Sequence, residues 1–324
     1  MEAPRRGRAI LMLVLTTAAW GLSFPGGKAL LTAANGALPG RDPWFFSSLM
    51  IGVRFGLAAL LLWLFHPRAF AQMRASELRQ GIGLGICGGL GMLFQADGLG
   101  FTAASTSAFL TQFASVLVPL VVALRTRRLP SLFVMFCIAL VIAGVAVLAQ
   151  FDWRALRLGR GELETLIGTA FFTGQILWLE RSVFRGNHTG RVTLVMFLTI
   201  AAILAPVSFT HAQHASDTRV LFSTLPITLL LMAVTLACSL FAFLMMNRWQ
   251  PFVDATTAGV VYCTEPLFAT LFALFLPALL ARFVEIDYAN EVATPHLLIG
   301  GSLITLANVL IAITPPTSAI TNSR

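Results

Sequence analysis

Charge is what this chain has least of. Only 11% of its 324 residues are Asp, Glu, Lys or Arg, against roughly 25% in soluble domains, so a water-facing surface of ordinary size is excluded. Lysine is nearly absent: Lys28 is the single one, and every other basic residue is arginine. The four cysteines, Cys87, Cys137, Cys238 and Cys263, all fall in apolar stretches without CxxC spacing, which argues against a disulfide framework or a thiolate metal site. No cofactor and no metal is expected. GxxxxGK[ST] does not occur, so ATP hydrolysis at a P-loop is not the driving force. HExxH and GxSxG are missing too, which removes the commonest signatures of a membrane-embedded hydrolase.

Apolar residues fill the rest: 57% of the chain is hydrophobic and the mean hydropathy is +0.83. They gather in separated stretches of about 18–25 residues, the length that crosses a hydrocarbon core of about 30 Å. The expected spans are 9–32, 44–65, 80–99, 102–124, 131–149, 162–180, 192–210, 224–246, 253–280 and 295–314. This predicts an all-α polytopic membrane protein with ten transmembrane helices. The first run, from Ala9 to about Leu31, exceeds the 7–15 residues of a signal-peptide core and reads as a retained span.

The net charge of +8 does not point to nucleic acid, because the basic residues sit in connections between spans rather than on one stripe. They report orientation instead. With the N-terminus inside, the inner segments hold Arg5, Arg6, Arg8, Arg68, Arg74, Arg79, Arg125, Arg127, Arg128, Arg181, Arg185, Arg191, Arg248 and Arg324, and the outer ones Arg41, Arg154, Arg157, Arg160, Arg219 and Arg282. Both termini are therefore expected in the cytoplasm of a bacterial-type inner membrane. The Arg154–Arg160 connection runs against the rule.

A weak internal repeat accompanies the spans. Thr106-Ser107 followed by Pro119 in the fourth is echoed by Thr256-Thr257 followed by Pro266 in the ninth, and Ala143-Gly144-Val145 in the fifth by Ala307-Asn308-Val309 in the tenth. Two halves, 1–150 and 160–315, would each hold five spans. An odd number sets the second half upside down, and inverted repeats are a transporter signature.

Three motifs carry a family resemblance: Ala19-Trp20-Gly21-Leu22-Ser23-Phe24 with Lys28 four further on, Val53-Arg54-Phe55-Gly56-Leu57-Ala58-Ala59, and Thr264-Glu265-Pro266-Leu267-Phe268-Ala269. In this order they resemble the first, second and ninth helices of EamA-type transporters of the drug/metabolite transporter superfamily. Arg127-Arg128-Leu129 stands where that family often has Gly-Glu-Arg-Leu. The resemblance implies two inverted five-helix EamA-like repeats around a central cavity, and transport of small metabolites, often amino acids or their analogues, commonly as exporters.

Charges within spans mark candidate sites, since each costs roughly 2.5–3.5 kcal/mol at a helix centre on insertion scales. Arg54 and Glu265 lie near mid-span; the first offers a donor fork for an anionic substrate group, the second a proton carrier, and the alternative for both is helix-to-helix pairing. Lys28 and Asp97 lie towards the outer ends of their spans, as lining or gating groups or as interfacial ones. Trp20, Ser23, Gln112, Gln175, Trp178, Tyr262 and Asn308 supply polar atoms and flat walls for a small ligand, or simple packing. Gly81, Gly85 and Gly89 share a helix face suited to close packing. Phe24-Pro25-Gly26-Gly27-Lys28 is a candidate flexible gate, and His211 and His214 read as loop histidines. The expected function is secondary transport of a small molecule by alternating access. The partners are the substrate, the lipid bilayer and protons as candidate coupling ion, the chain acting as monomer or homodimer. A membrane-embedded enzyme acting on a lipid or small molecule is the alternative.

Overall fold

A computed structural model describes residues 3–127, 131–148, 158–179, 181–253 and 255–313. Arg128, Leu129, Arg154, Arg157 and Arg324, the span limits expected at 149, 180 and 314, and the side chains of Arg5, Thr256 and Thr257 lie outside the described residues.

The first helix, α1 (Ala3–Ala37), runs unbroken through Pro25. A short turn leads to α2 (Pro43–Phe65), where the Asp42 carboxylate accepts the Trp44 N–H at 2.9 Å and Pro43 occupies a first-turn position; proline loses nothing there, because that N–H has no helical partner. Next, α3 (Ala75–Phe101) begins with Glu77 accepting the Arg74 N–H at 3.0 Å. The following apolar stretch is divided at Gln112–Phe113 into α4 (Ala104–Thr111) and α5 (Ala114–Thr126). Then come α6 (Leu132–Leu148), α7 (Arg160–Leu179), α8 (Thr189–His211), the short α9 (Asp217–Ser223) and α10 (Leu225–Val234). A π-helical segment, Thr235–Phe241, joins α10 to α11 (Ala242–Trp249). The chain ends in α12 (Ala255–Tyr262), α13 (Glu265–Ala273), α14 (Leu276–Val284) and α15 (Pro295–Ile313).

The protein is an all-α integral membrane protein, but the expected ten transmembrane helices in two inverted five-helix repeats are not what it contains. Among the described residues, six helical stretches are long and apolar enough to cross a bilayer: Arg6–Ala37, Pro43–Phe65, Ala75–Phe101, Ala104–Arg125, Thr189–His211 and Leu225–Met246. A seventh is reached only if Val260–Ala273 and Leu276–Val284, bent by 60° at their junction, count as one. The physical reasons are local. The expected span 253–280 is broken where Pro266 and Pro277 start new helices, since proline withholds an N–H from the preceding turn. The apolar helices Leu132–Leu148 and Pro295–Ile311 are shorter than the roughly 20 residues a span needs. Helix α7 opens with Arg160, Glu162 and Glu164 and continues through several threonines and Gln175.

Glycine sets how closely the helices approach. α3 lies between α7 and α8. On one face a Cβ added at Gly81 would meet Val195 of α8 at 2.5 Å; on another, a Cβ at Gly98 would stand 2.7 Å from the Gly161 carbonyl oxygen of α7. α6 and α15 meet the same way at Gly144 and Gly300. In a bilayer such close backbone packing takes the place of hydrophobic burial between helices. α1 runs through the centre, against α10 to α14 on one side and α2 to α4 on the other. One core joins Phe55, Leu62, Phe197, Ile200 and Leu204, and a second joins Leu30, Phe45, Leu221, Ile227 and Leu231; both draw on residues before 150 and after 160. Outward faces carry exposed Leu60, Leu64, Ile82, Ile86, Phe136 and Phe209, apolar surface that lipid covers.

Charge divides between the two ends of the bundle. Arg191 of α8 pairs with Glu77, and Ser76 donates to Asn187, which sets the α2–α3 and α7–α8 connections together with Arg68, Arg74, Arg79, Arg181 and Arg185. At the other end lie Asp42, Asp97, Glu162, Asp217 and Glu291; Arg41 pairs with Asp217, Arg160 with Asp97 and His211 with Asp42, while Glu162 accepts from Thr102 and Glu291 from the Ala104 N–H.

Candidate functional site

A small cavity lies between α1, α2, α3 and α10. Its walls include Ser23, Phe24 and Gly27 of α1, Met50 and Arg54 of α2, and Met92 and Gln95 of α3. Its volume is about 40 Å³, room for about three waters and too little for a metabolite.

Arg54 is the one ionisable group in that wall. It is buried, and its Nε donates to Ser239 Oγ of the π-helical segment at 2.7 Å. Its guanidinium carbon stands 5.5 Å from the Phe55 ring centroid. No carboxylate among the described residues forms an ion pair with it. Guanidinium carries five N–H donors, and burying it without a counter-anion is costly. The site is thus chemically suited to an anionic group that the cavity can admit. A π-helical segment at such a place is common, since the extra residue re-aims side chains.

Glu265 does not line this cavity. The chain breaks helix at Cys263–Thr264, and Glu265 becomes the first residue of α13, where the helix dipole favours a negative charge. Its half-buried carboxyl has no hydrogen-bond or ion-pair partner among the described residues. α1 abuts it closely: a Cβ at Gly21 would stand 3.0 Å from the Glu265 carbonyl oxygen, and Thr17 Oγ1 lies 3.2 Å from Thr264 Oγ1. One turn away on α1, Trp20 packs on Tyr262 at 5.8 Å and on Phe243 at 5.6 Å, and its buried Nε1 finds no acceptor among the described residues. The Tyr262 hydroxyl donates to Gln250 at 2.9 Å.

The acidic end is latched. The buried Asp97 carboxylate accepts from Arg160 Nη2 at 2.6 Å and from Ser47 at 3.2 Å. Lys28 Nζ donates to the Thr102 carbonyl, whose hydroxyl donates to Glu162. Glu291, in the connection after α14, accepts the Ala104 N–H at 2.6 Å and the Ser105 hydroxyl, capping α4. Asp97 and Lys28 therefore tie α1, α2, α3 and α7 together beside the cavity, and Glu291 holds the start of α4. Arg160 breaks the expected charge rule because it serves Asp97.

The other expected site residues divide between lining and packing. Ser23 lines the cavity. Gln112 occupies the α4–α5 break and accepts from Asn308 at 3.4 Å, away from Arg54. Gln175 and Trp178 of α7 dock on Gly88 and Gly83 of α3, away from the Gly81–Gly85–Gly89 face that meets α8, and donate to the Leu84 and Gln80 carbonyls. His211 pairs with Asp42 at 2.6 Å, and His214 stands 3.0 Å from Arg41. Sequence reasoning missed Ser239, Thr17, Gln95, Arg160 and Glu162. Only Arg160 left a signal, as a basic residue at the wrong end.

No family model matches the chain. A protein of Archaeoglobus fulgidus described as an uncharacterized transporter is 25% identical over 325 aligned positions, covering 96% of this chain and 88% of its own. A solved crystal structure of a protein with 16% sequence identity superposes with a TM-score of 0.54, covering 94% of this chain and 96% of that one; at that identity the likeness is one of fold.

Proposed function

We propose that the chain is a secondary transporter that exports small metabolites such as amino acids or their analogues, by alternating access to the cavity beside Arg54. The observation that carries this reading is the buried Arg54 guanidinium, held by Ser239 and without a carboxylate partner among the described residues, at the wall of a cavity between four helices. Such a group binds the carboxylate or phosphate of a substrate with a planar pair of donors. The cavity enlarges when α1 moves away from α3. The latch of Lys28, Asp97, Arg160 and Glu291 releases one mouth, and the basic end, set in the cytoplasm by the charge rule, opens the other. Two further supports are the similarity to the archaeal transporter and the motifs that resemble EamA-type transporters.

The test is efflux from cells overproducing the protein, challenged with toxic amino-acid analogues, followed by uptake of the selected compound into reconstituted vesicles. Resistance to anionic or zwitterionic analogues, lost in Arg54→Gln while the protein remains in the membrane, is the expected result. Resistance confined to uncharged compounds, or unaffected by Arg54→Gln, would overturn it.

A further inference from the structure

A second, roomier cleft lies away from Arg54, at the basic end. It occupies about 440 Å³ between the C-terminal end of α2 and the start of α8, within the range of about 300–1,000 Å³ typical of small-molecule sites. Its polar lining is His66, Arg68, Gln72, His188 and Arg191, and its floor includes the buried Leu62 and Leu194. The lining holds no acidic side chain.

Arg191 is built into this floor. Its Nε and Nη2 donate to the buried Glu77 carboxylate at 2.7 and 2.6 Å, which fixes the plane of the guanidinium and leaves Nη1 unused. The Glu77 charge is already answered by Arg191, the Arg74 N–H and the His188 N–H. Among the described residues, Arg68, His66 and His188 have no carboxylate partner. The first turn of α8 adds the Gly190 and Arg191 N–H groups, which lack a helical acceptor. These donors line one cleft.

The surroundings select its source. Trp63, Leu64, Phe65 and Phe70, on the same stretch of chain as His66 and Arg68, are 37%, 58%, 69% and 51% exposed. Aromatic and apolar residues beside a basic cluster at the end of a membrane helix mark the level where headgroups meet acyl chains. A soluble anion would use the basic lining and leave this neighbouring apolar surface without a role. We propose that the cleft is a headgroup site for an acidic phospholipid, with its phosphodiester between Arg68, His188 and Arg191 and its chains against Trp63 to Phe65.

The test is native mass spectrometry and thermal unfolding of the purified full chain, supplied with phosphatidylglycerol, phosphatidylcholine or inorganic phosphate. Phosphatidylglycerol is expected to be retained and to raise the melting temperature, with phosphatidylcholine and phosphate doing neither. Arg68→Gln with His188→Gln should cut retention severalfold. Arg185→Gln, equally basic but outside the lining, should leave it intact and so separates a site from general attraction. If the double variant does not fold, Gly190→Asp is the substitute: an acid in the first turn favours the helix and repels the headgroup. Equal stabilisation by phosphatidylcholine, stabilisation by phosphate alone, or retention unchanged in the cleft variants and reduced in Arg185→Gln would each overturn the proposal.

Discussion

Arg54 Nε and Ser239 Oγ lie 2.7 Å apart, linking the middle of α2 to the π-helical segment between α10 and α11. The bond orients a buried cation that no carboxylate among the described residues neutralises. Removing the hydroxyl in Ser239→Ala takes away a hydrogen bond to a charged donor, which costs about 2 kcal/mol and frees the guanidinium to rotate. A lower melting temperature together with weaker transport at low substrate concentration is expected. Concentration-dependent uptake into vesicles, compared between wild type and Ser239→Ala, checks it; an unchanged KM would mean that Ser239 does not position Arg54.

Breaking the Asp97–Arg160 pair has unequal consequences on its two sides. The Asp97 side chain is fully buried and the Arg160 side chain 45% exposed. Arg160→Gln strands a carboxylate in the interior, with an expected loss of about 3–5 kcal/mol. Asp97→Asn strands nothing, because Arg160 keeps Glu164 at 2.9 Å and can reach water, so about 1 kcal/mol is expected. Thermal unfolding of the two variants gives the order directly, and equal melting temperatures would contradict it.

Alanine at the glycines should separate by what each new methyl meets. At Gly98 it would stand 2.7 Å from the Gly161 carbonyl oxygen, backbone that cannot turn aside, so α3 and α7 must part; overpacking of this kind costs about 1–3 kcal/mol. At Gly27 the nearest atom is Leu99 Cδ2 at 3.4 Å, an ordinary contact with a mobile methyl. Melting temperatures are expected to fall for Gly98→Ala and to stay near wild type for Gly27→Ala.

The membrane character and helical class are legible in the sequence because apolar runs and scarce charge leave no other stable solution. Helix interruptions are not. Composition stays apolar across Gln112–Phe113, Thr235–Phe241 and Cys263–Thr264, so hydropathy does not show these interruptions, and the count of ten exceeded the observed one because α6 and α15 are short, α7 carries polar residues along its length and the ninth stretch is bent between Ala273 and Leu276. Arg54 and Glu265 stand out because a charge amid apolar neighbours is visible without coordinates. Their surroundings are not, since Ser239 is 185 residues from Arg54 and Arg160 63 from Asp97, and no local pattern encodes such pairings. Gln175 and Trp178 look like ligand contacts in sequence; the α3 glycines they dock on become apparent only when α3 and α7 are placed together.

Acid should loosen the α1–α2 and α8–α9 connections before the rest. The Asp217 carboxyl is held below its ordinary range by hydrogen bonds from Arg41, opposed by burial. For Asp42 burial works upward, but hydrogen bonds from His211 and the Trp44 N–H, with the charges of His211 and Arg160, outweigh it and hold it low as well. A carboxyl lowered in the folded state stabilises fully above its unfolded value of about 3.9 and loses that contribution as pH falls through the folded one. Stability due to these groups is therefore expected to be flat from neutral pH to about 5 and to decline below about 4. Limited proteolysis at the 212–216 segment across this range checks it: cleavage should rise below about pH 4 in wild type, and Asp217→Asn should be cleaved readily at all pH values.

Glu265 gives the sharpest test of what drives transport. Its carboxyl starts α13, beside the Thr17–Thr264 contact with α1, where a gain or loss of charge acts on the junction of the two helices. Glu265→Gln keeps the shape and removes the titration, and the lost dipole interaction costs only about 0.3–1 kcal/mol, so the variant should fold. If Glu265 carries the coupling proton, an imposed pH gradient will no longer drive uphill transport in vesicles, while exchange of labelled for unlabelled substrate, which needs no net proton movement, will persist. Uphill transport surviving in Glu265→Gln would assign the proton elsewhere; loss of exchange as well would show that Glu265 is needed for substrate binding or helix motion and not for proton coupling alone, since either defect stops both modes.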